Sequence, residues 1–432
     1  MDAFWMPFTA NLAFKDKPRL FVTAEGMYYK TADGRQVMDG IGGLWCVNAG
    51  HGQPRIVKAI QEQAARLDFV SSFSMGHPAA FELAGRIADL TPGDLNHVFF
   101  SNSGSEAIDT ALKIARAYHR IRGEGGRTRF ISRAKGYHGM GWGGLSISGI
   151  SRHRTDFTPL LGDVAHLRLP YDPAVSAFSR GMPEHGAYFA DELSTLLATV
   201  HEPASVAAVI VEPVTGSGGV YPPPQGYLKR LREICDKHGI LLIFDEVITG
   251  FGRLGTAFGA QALGVVPDMM TIAKGMTNGA VPMGGTIVSA DIFDTFMNRS
   301  EGKIELSHGY TYSAHPLACA AALATLDVYA EQTLFDRVAK LSGAWADAAL
   351  SLKGVKNVLD VRNIGLLAGI DIAPRPEEPG LRGAEIGQRC FDAGVLVRPA
   401  GDTIMLSPPF VISEAEIKRI FATITEAVEN TV

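Results

Sequence analysis

Ile240-Leu-Leu-Ile-Phe-Asp-Glu-Val-Ile-Thr-Gly-Phe-Gly-Arg253 is the stretch on which the reading of this chain turns. Its apolar run, Ile240–Phe244, is too short for a helix and does not alternate with polar residues. It therefore predicts a strand buried on both faces, as in a parallel sheet covered by helices. Asp245 closes the run, which puts a carboxylate at the carboxyl end of that strand, the edge at which open α/β sheets bind ligands. A carboxylate there can hold a ring nitrogen protonated, which an electron-sink cofactor requires. An acidic cap on a following helix is the other reading of the same residue.

Outward from this stretch the pattern repeats. His97–Phe100, Thr128–Ser132, Val206–Val211 and Met269–Ala273 are further buried-strand candidates, with helical stretches at Ser105–Ile121 and Gly226–His238. The alternation predicts an α/β fold with a mainly parallel sheet flanked by helices. The first 50 residues read as strands at Arg19–Val22, Met27–Lys30 and Gln36–Met38, with a hairpin turn at Asp33-Gly34. Pro54 and Pro78 suit helix starts, one with Ile56, Ile60, Ala64 and Leu67 on its apolar face, the other carrying Phe81, Ala84, Ile87 and Ala88. After Pro316 come a helical region broken near Glu331, short strands at Leu366–Ile372, Val395–Arg398 and Thr403–Leu406, and a helix from Ser413. This divides the chain into a large domain (66–315) and a smaller α/β domain built from both ends (1–65 and 316–432).

Bulk properties narrow the function. At 432 residues the chain has room for two domains, and 46% hydrophobic with 20% charged residues is ordinary for a soluble protein. A net charge of −5, with Lys and Arg scattered, gives no pull toward nucleic acid or an anionic membrane. Cys46, Cys235, Cys319 and Cys390 lie far apart without a CxxC pair, so reduced thiols are expected rather than a zinc site or disulfide framework. No secretory signal or membrane-length apolar stretch is visible, and a cytoplasmic location is expected.

Four more segments carry chemistry. Ser101-Asn-Ser-Gly-Ser-Glu-Ala107 follows a strand candidate and opens a helix, so its free N–H groups and the helix dipole face an anion; a plain N-cap and tight turn is the alternative. Asp268-Met-Met-Thr-Ile-Ala-Lys-Gly-Met-Thr-Asn-Gly279 puts Lys274 at a strand end, where desolvation favours the neutral, nucleophilic amine of Schiff-base chemistry. For an isolated lysine there, snorkelling out of the sheet edge is the better reading. Gly136-Tyr-His-Gly139 offers Tyr137 as a flat stacking face, and His308-Gly-Tyr-Thr-Tyr-Ser-Ala-His-Pro316 offers the Thr311 hydroxyl. A core aromatic and a polar loop are their plainer readings.

Taken in order, Asn102-Ser-Gly-Ser-Glu-Ala107, Gly136-Tyr-His-Gly139, Phe244-Asp-Glu-Val247 with Gly250-Phe-Gly-Arg253, and Ala273-Lys-Gly275 resemble the motifs of the class III aminotransferases, fold-type I pyridoxal-phosphate enzymes. The likeness covers nearly the whole chain. It implies pyridoxal 5'-phosphate as cofactor, with Lys274 as the Schiff-base lysine and proton carrier and Asp245 on the pyridinium nitrogen. It further implies Tyr137 stacked on the ring, Gly104 and Ser105 on the phosphate with Thr311 of a partner subunit, and Val247 and Glu212 in the cofactor site. A homodimer is then the smallest active unit, and a tetramer is compatible with it.

Within the class, Trp5-Met-Pro-Phe-Thr-Ala-Asn11, Gly42-Gly-Leu-Trp-Cys46 and Arg398 ahead of Gly401-Asp-Thr403 resemble the ω-amino acid–pyruvate (β-alanine–pyruvate) enzymes and amine transaminases. By that likeness Trp45 and Phe73 line the substrate pocket and Arg398 grips a carboxylate through its planar fork. Met405 stands where some of these enzymes carry glutamine, which favours a bulkier or more apolar donor than β-alanine. The implied reaction is ping-pong transfer of an amino group from an amine or ω-amino acid to a keto acid, most simply pyruvate. Aminomutase or decarboxylase chemistry shares the same motifs. A nicotinamide dehydrogenase lacks its GxGxxG here, and an effector-sensing regulator lacks its DNA-binding module.

Overall fold

Val206–Val211 and Leu241–Asp245 have every residue buried, as a strand covered on both faces must, and they form the middle of the central sheet of this computed structural model, which describes residues 2–299 and 302–431. In chain order the strands begin with a meander, β1 (Phe21–Glu25), β2 (Tyr28–Thr31) and β3 (Gln36–Asp39), paired antiparallel. Gly34, at φ +87°, makes the turn between β2 and β3 in a conformation that glycine adopts without strain. The central sheet follows: β4 (Leu95–Ser101), β5 (Arg129–Arg133), β6 (Val164–Leu167), β7 (Val206–Val211), β8 (Leu241–Asp245), β9 (Met269–Ile272) and β10 (Gly284–Ser289). Last come β11 (Val358–Ile364), β12 (Leu367–Ile372), β13 (Val395–Leu396), β14 (Arg398–Ala400) and β15 (Thr403–Leu406).

The seven central strands lie in the order β4-β10-β9-β8-β7-β5-β6. The pairs from β6 to β9 are parallel, and β10 alone runs against its neighbours β9 and β4. The expected mainly parallel sheet is what is found. β6, β10 and β11 were not read from sequence. β6 is only four residues, three of them half-buried, and β10 begins with Gly284-Gly285, which breaks the β-branched pattern.

The helix Gly104–Ile121 buries Ala107, Ile108, Ala111, Leu112 and Ala115, one stripe at helical spacing, and Ser103 caps it by accepting from the Glu106 N–H at 3.2 Å. Tyr227–His238 buries Leu228, Leu231, Ile234 and Cys235 and stops at Gly239 in the left-handed conformation. Pro78–Ala88 forms where proline predicted a start, but Phe81 is exposed and not on the apolar face. Leu83 and Ile87, four residues apart, take the buried face, which turns Phe81, two residues from Leu83, to the other side. Past Pro316 the break falls after Glu331, between helices Pro316–Glu331 and Leu334–Leu350. The helix Glu414–Glu429 starts from a Ser413–Glu416 capping box.

The two ends of the chain meet in one sheet. β13, from the C-terminal region, pairs parallel with β3, giving the order β1-β2-β3-β13, while β11-β12-β15-β14 form a third sheet. This brings Arg398 and the 41–50 segment to the carboxyl edge of the central sheet. No described helix is long and apolar enough to cross a membrane.

Candidate active site

β8 and β9 are parallel neighbours with Asp245 opposite Thr271, so Asp245 and Lys274 emerge from the same sheet edge. Lys274 has φ +48°, a left-handed conformation that a lysine adopts only when its surroundings impose it. Those surroundings are specific. A Cβ on Gly275 would collide with the Asn48 side-chain amide, and the Tyr329 hydroxyl donates to the Gly275 carbonyl at 2.6 Å. Asn278 accepts from the Ala49 N–H at 2.8 Å and donates to the Gly50 carbonyl at 2.9 Å. The lysine loop is thus clamped by the N-terminal 48–50 segment.

That segment also delivers Trp45, only 2% exposed and again left-handed at φ +59°. Lys274 Nζ lies 5.4 Å from the Trp45 ring centroid and Arg398 Cζ 5.6 Å from it, so both cations pack against the same indole. Among the described residues the Lys274 amine has neither hydrogen bond nor ion pair. Burial pulls its pKa below the usual lysine value, opposed by Cys46, Asp245 and Glu212 and assisted by Arg398. Burial, and then Arg152, likewise depress Arg398, whose Nε is buried without a partner. Both groups are desolvated and uncommitted, the condition of a nucleophile and of an anion receptor.

Asp245 is firmly held. His138 Nδ1 lies 2.8 Å from its Oδ2, while the Thr271 hydroxyl and the Val247 N–H each donate to Oδ1 at 3.2 Å. Sequence reasoning took Tyr137 from its motif and passed over His138, the neighbour that contacts the carboxylate. A polar ring between two glycines in a cofactor motif was the available signal. Glu212 has its own task. Its buried carboxylate accepts from the Tyr137 N–H at 3.0 Å and the Gly216 N–H at 2.8 Å, fixing the Tyr137 backbone. Burial pushes its pKa up, and Asp245 adds to that.

The anion loop converges on the same edge. A Cβ on Gly104 would meet the Val247 methyls at 3.1 and 3.2 Å and Ala273 Cβ at 3.6 Å, so the helix start rests directly on the strand ends that carry Asp245 and Lys274. Ser105 Oγ accepts from the Met140 N–H at 3.1 Å, which leaves its own proton to donate elsewhere. The first N–H groups of the helix, Gly104 and Ser105, have no intrahelical acceptor.

Phe73 and Thr311 are placed differently. Both are exposed, Phe73 at 55%, on two surface loops tied together by the Ser72 hydroxyl donating to the Ser313 carbonyl at 2.7 Å. The Phe73 ring lies against Gly309, and Phe69 packs edge-on to Tyr312 at 5.6 Å. Within one chain the structure gathers Lys274, Asp245, Tyr137, Glu212, Val247, Gly104, Ser105, Trp45 and Arg398, and leaves these two outside.

Comparison with known proteins bears on the whole chain. The family model "Aminotransferase class-III" matches residues 13–428. An ω-aminotransferase of Caulobacter vibrioides is 54% identical over 424 residues, covering 98% of this chain and 96% of the relative. A β-alanine–pyruvate aminotransferase of Pseudomonas aeruginosa is 49% identical over 433 residues, covering 100% and 96%. The solved amine transaminase from an uncultivated Pseudomonas species, in its pyridoxal-phosphate-bound form, superposes with a TM-score of 0.91 at 36% identity over 99% of both chains.

Proposed function

The chain belongs to the class-III aminotransferases, and from that premise we propose that it uses pyridoxal phosphate to move the amino group of an ω-amino acid or amine to a keto acid, with pyruvate as acceptor. The residues fit the cofactor: an uncommitted buried amine, a buried carboxylate for a ring nitrogen, and a helix start with free N–H groups for a phosphate. Bound there, pyridoxal phosphate supplies an aldehyde and an electron-withdrawing ring that stabilises negative charge on the donor carbon.

The chain's own groups do the rest. Lys274, kept toward its neutral form by burial, acts as nucleophile and then carries the proton at the donor carbon. Asp245 would pair with the ring nitrogen, and His138 and Thr271 hold its carboxylate in place. Tyr137, on a backbone anchored by Glu212, would cover one face of the ring, and Val247, packed beside Gly104, would contribute to the same site. Gly104 and Ser105 take the phosphate. Thr311 of the partner subunit completes that contact, and Phe73 lines the pocket from the same exposed loops, which makes a homodimer the minimum unit and leaves a tetramer open. Arg398 binds the substrate carboxylate over Trp45. The large domain spans 66–315 and the small domain 1–65 with 316–432; the β3–β13 pairing supports that division.

The observation that carries the proposal is the uncommitted Lys274 amine set beside the His138–Asp245 pair. Visible spectra of wild type and Lys274→Ala, before and after β-alanine, 1-phenylethylamine, putrescine or alanine, test it. A wild-type band that a donor bleaches, with no turnover by the variant, is the expected result. A bound cofactor that no amine converts redirects the assignment to aminomutase or decarboxylase chemistry. A protein that binds no pyridoxal phosphate overturns it.

A further inference from the structure

Asp39 closes β3 and lies outside every motif used so far. Its carboxylate is fully buried and both oxygens are committed: Oδ1 accepts from the Ile41 N–H at 3.0 Å, and Oδ2 from the Gly43 N–H at 2.6 Å. His51 Nε2 lies 2.8 Å from the same Oδ2. The His51 ring rests against Tyr29, with centroids 4.3 Å apart, and the His51 backbone exchanges two hydrogen bonds of 2.9 Å with Gly26. The N-terminal meander thus fixes the histidine, and the histidine braces the carboxylate.

The segment these bonds hold is the one that carries Trp45. Gly42, Gly43 and Trp45 have left-handed φ values of +58°, +70° and +59°, and Leu44 between them is extended at −152°. Glycine takes such angles without strain, whereas a tryptophan holds them only where its surroundings impose them. The indole's own polar atom does not supply that restraint, because its Nε1 is buried without a hydrogen-bond partner among the described residues. The ring's place follows from its backbone and from apolar packing with Ile41 and Met405. In that backbone the Trp45 N–H donates to the Ile41 carbonyl at 2.9 Å and the Cys46 N–H to the Gly42 carbonyl at 2.8 Å. Asp39 grips the two N–H groups, of Ile41 and Gly43, at the start of the same turn. Since Lys274 and Arg398 both pack against the indole, a shift of this loop reaches both.

We propose that Asp39, braced by His51, is a positioning residue for Trp45: it holds the 41–45 loop in the one shape that lays the indole against Lys274 and Arg398, and so sets the pocket wall that a donor meets. The assignment rests on the reading of Trp45 as a pocket residue given above. Asp39 acts through the loop and not on the substrate, fixing the wall before substrate arrives.

A double-mutant cycle on the holoenzyme tests it, read as kcat/KM for the faster of β-alanine and 1-phenylethylamine. Asp39→Asn keeps the size of the side chain but turns an amide N–H2 toward a backbone N–H. It is expected to lower kcat/KM about ten-fold in the wild-type background, and less than about two-fold in a Trp45→Ala background, where the wall it positions is already gone. His51→Ala is expected to show the same pattern at about three-fold, and His51→Gln, which restores an N–H donor to Oδ2, to stay near wild type. That pair decides the matter should Asp39→Asn not fold. Hydrogen exchange reads the brace directly: the 41–46 amides are expected to exchange about ten-fold faster or more in Asp39→Asn. A loss of the same size in both backgrounds, unchanged exchange at 41–46, or no recovery by His51→Gln overturns the proposal while leaving Trp45 in the pocket. A Trp45→Ala enzyme with wild-type kcat/KM instead removes Trp45 from the pocket, and the proposal falls with that reading.

Discussion

Two regions of this molecule carry its proposed cofactor site, and they are built in opposite ways. Around Lys274 almost every group is buried and tied down: Asp245 by three neighbours, Glu212 by two N–H groups, Asn278 by Ala49 and Gly50. Around Thr311 and Phe73 the side chains face outward, with Phe69, Met75, Phe81 and Tyr312 also exposed. The first region is complete within one chain. The second is an exposed apolar surface, for which the homodimer proposed above gives a use. Chemistry that depends on shifted pKa values belongs in the desolvated region, and contacts that define an assembly belong in the exposed one.

The sharpest break is Lys274→Ala. Turnover should fall roughly 10^3-fold or more in a single-turnover assay, because nucleophile and proton carrier disappear together. Next is Arg398→Ala, for which kcat/KM with β-alanine should drop about 10^2-fold and with 1-phenylethylamine far less, since only the former loses a charged hydrogen-bonded partner. An effect of similar size for both donors would remove Arg398 from carboxylate recognition.

The buried region should also show in stability against pH. Burial raises the Glu246 carboxyl to about 7, against lowering by Thr249 and the Ala260 and Gly259 N–H groups. A carboxyl raised in the folded state binds more protons folded than unfolded between about pH 4.5 and 7, so stability falls as pH rises through that window. Its share is on the order of 3 kcal/mol. Glu246→Gln should flatten that part of a urea-midpoint profile whatever its absolute stability, and an unchanged slope would assign the titration elsewhere.

For the exposed region the expected effects are smaller. Thr311→Ala should weaken pyridoxal-phosphate binding about ten-fold, as for one lost hydrogen bond to a charged group, yet leave stability within about 0.5 kcal/mol. Hybrids are the decisive measurement. At limiting pyridoxal phosphate, in dimers mixed from Lys274→Ala and Thr311→Ala subunits, the one site that keeps Lys274 should bind cofactor with wild-type affinity if Thr311 acts across the interface, and with the weakened Thr311→Ala affinity if it acts within its own chain. Back in the buried region, Met405→Gln should have the smallest effect on turnover. Met405 is buried opposite Arg398 and clusters with Trp45, so a glutamine should cost about 1–3 kcal/mol and shift the donor profile toward β-alanine. An unchanged profile would separate Met405 from specificity.

Legibility in the sequence follows the same divide. Val206–Val211 and Thr403–Leu406 form strands at the residues read, and the Ser413 start, the Asp33-Gly34 turn and the strand-end positions of Asp245 and Lys274 follow from local patterns. Strand β10 was missed because its register is imposed by β4 and β9 on either side rather than by its own pattern. The Phe81 exposure depends on which face of its helix meets β4. His138 was passed over because a histidine's role lies in what comes near it, and its partner Asp245 is over 100 residues away.

By itself, then, the sequence determined the sheet class, the order of the motifs, the family and the two residues at the strand ends, since periodicity and short motifs are local and survive in one dimension. Only the tertiary structure decided that Lys274 and Arg398 both pack against Trp45, that Glu212 holds the Tyr137 backbone, and that Phe73 and Thr311 face outward. Desolvation and hydrogen-bond partnership are properties of neighbourhood, and neighbours far apart in the chain are chosen by packing.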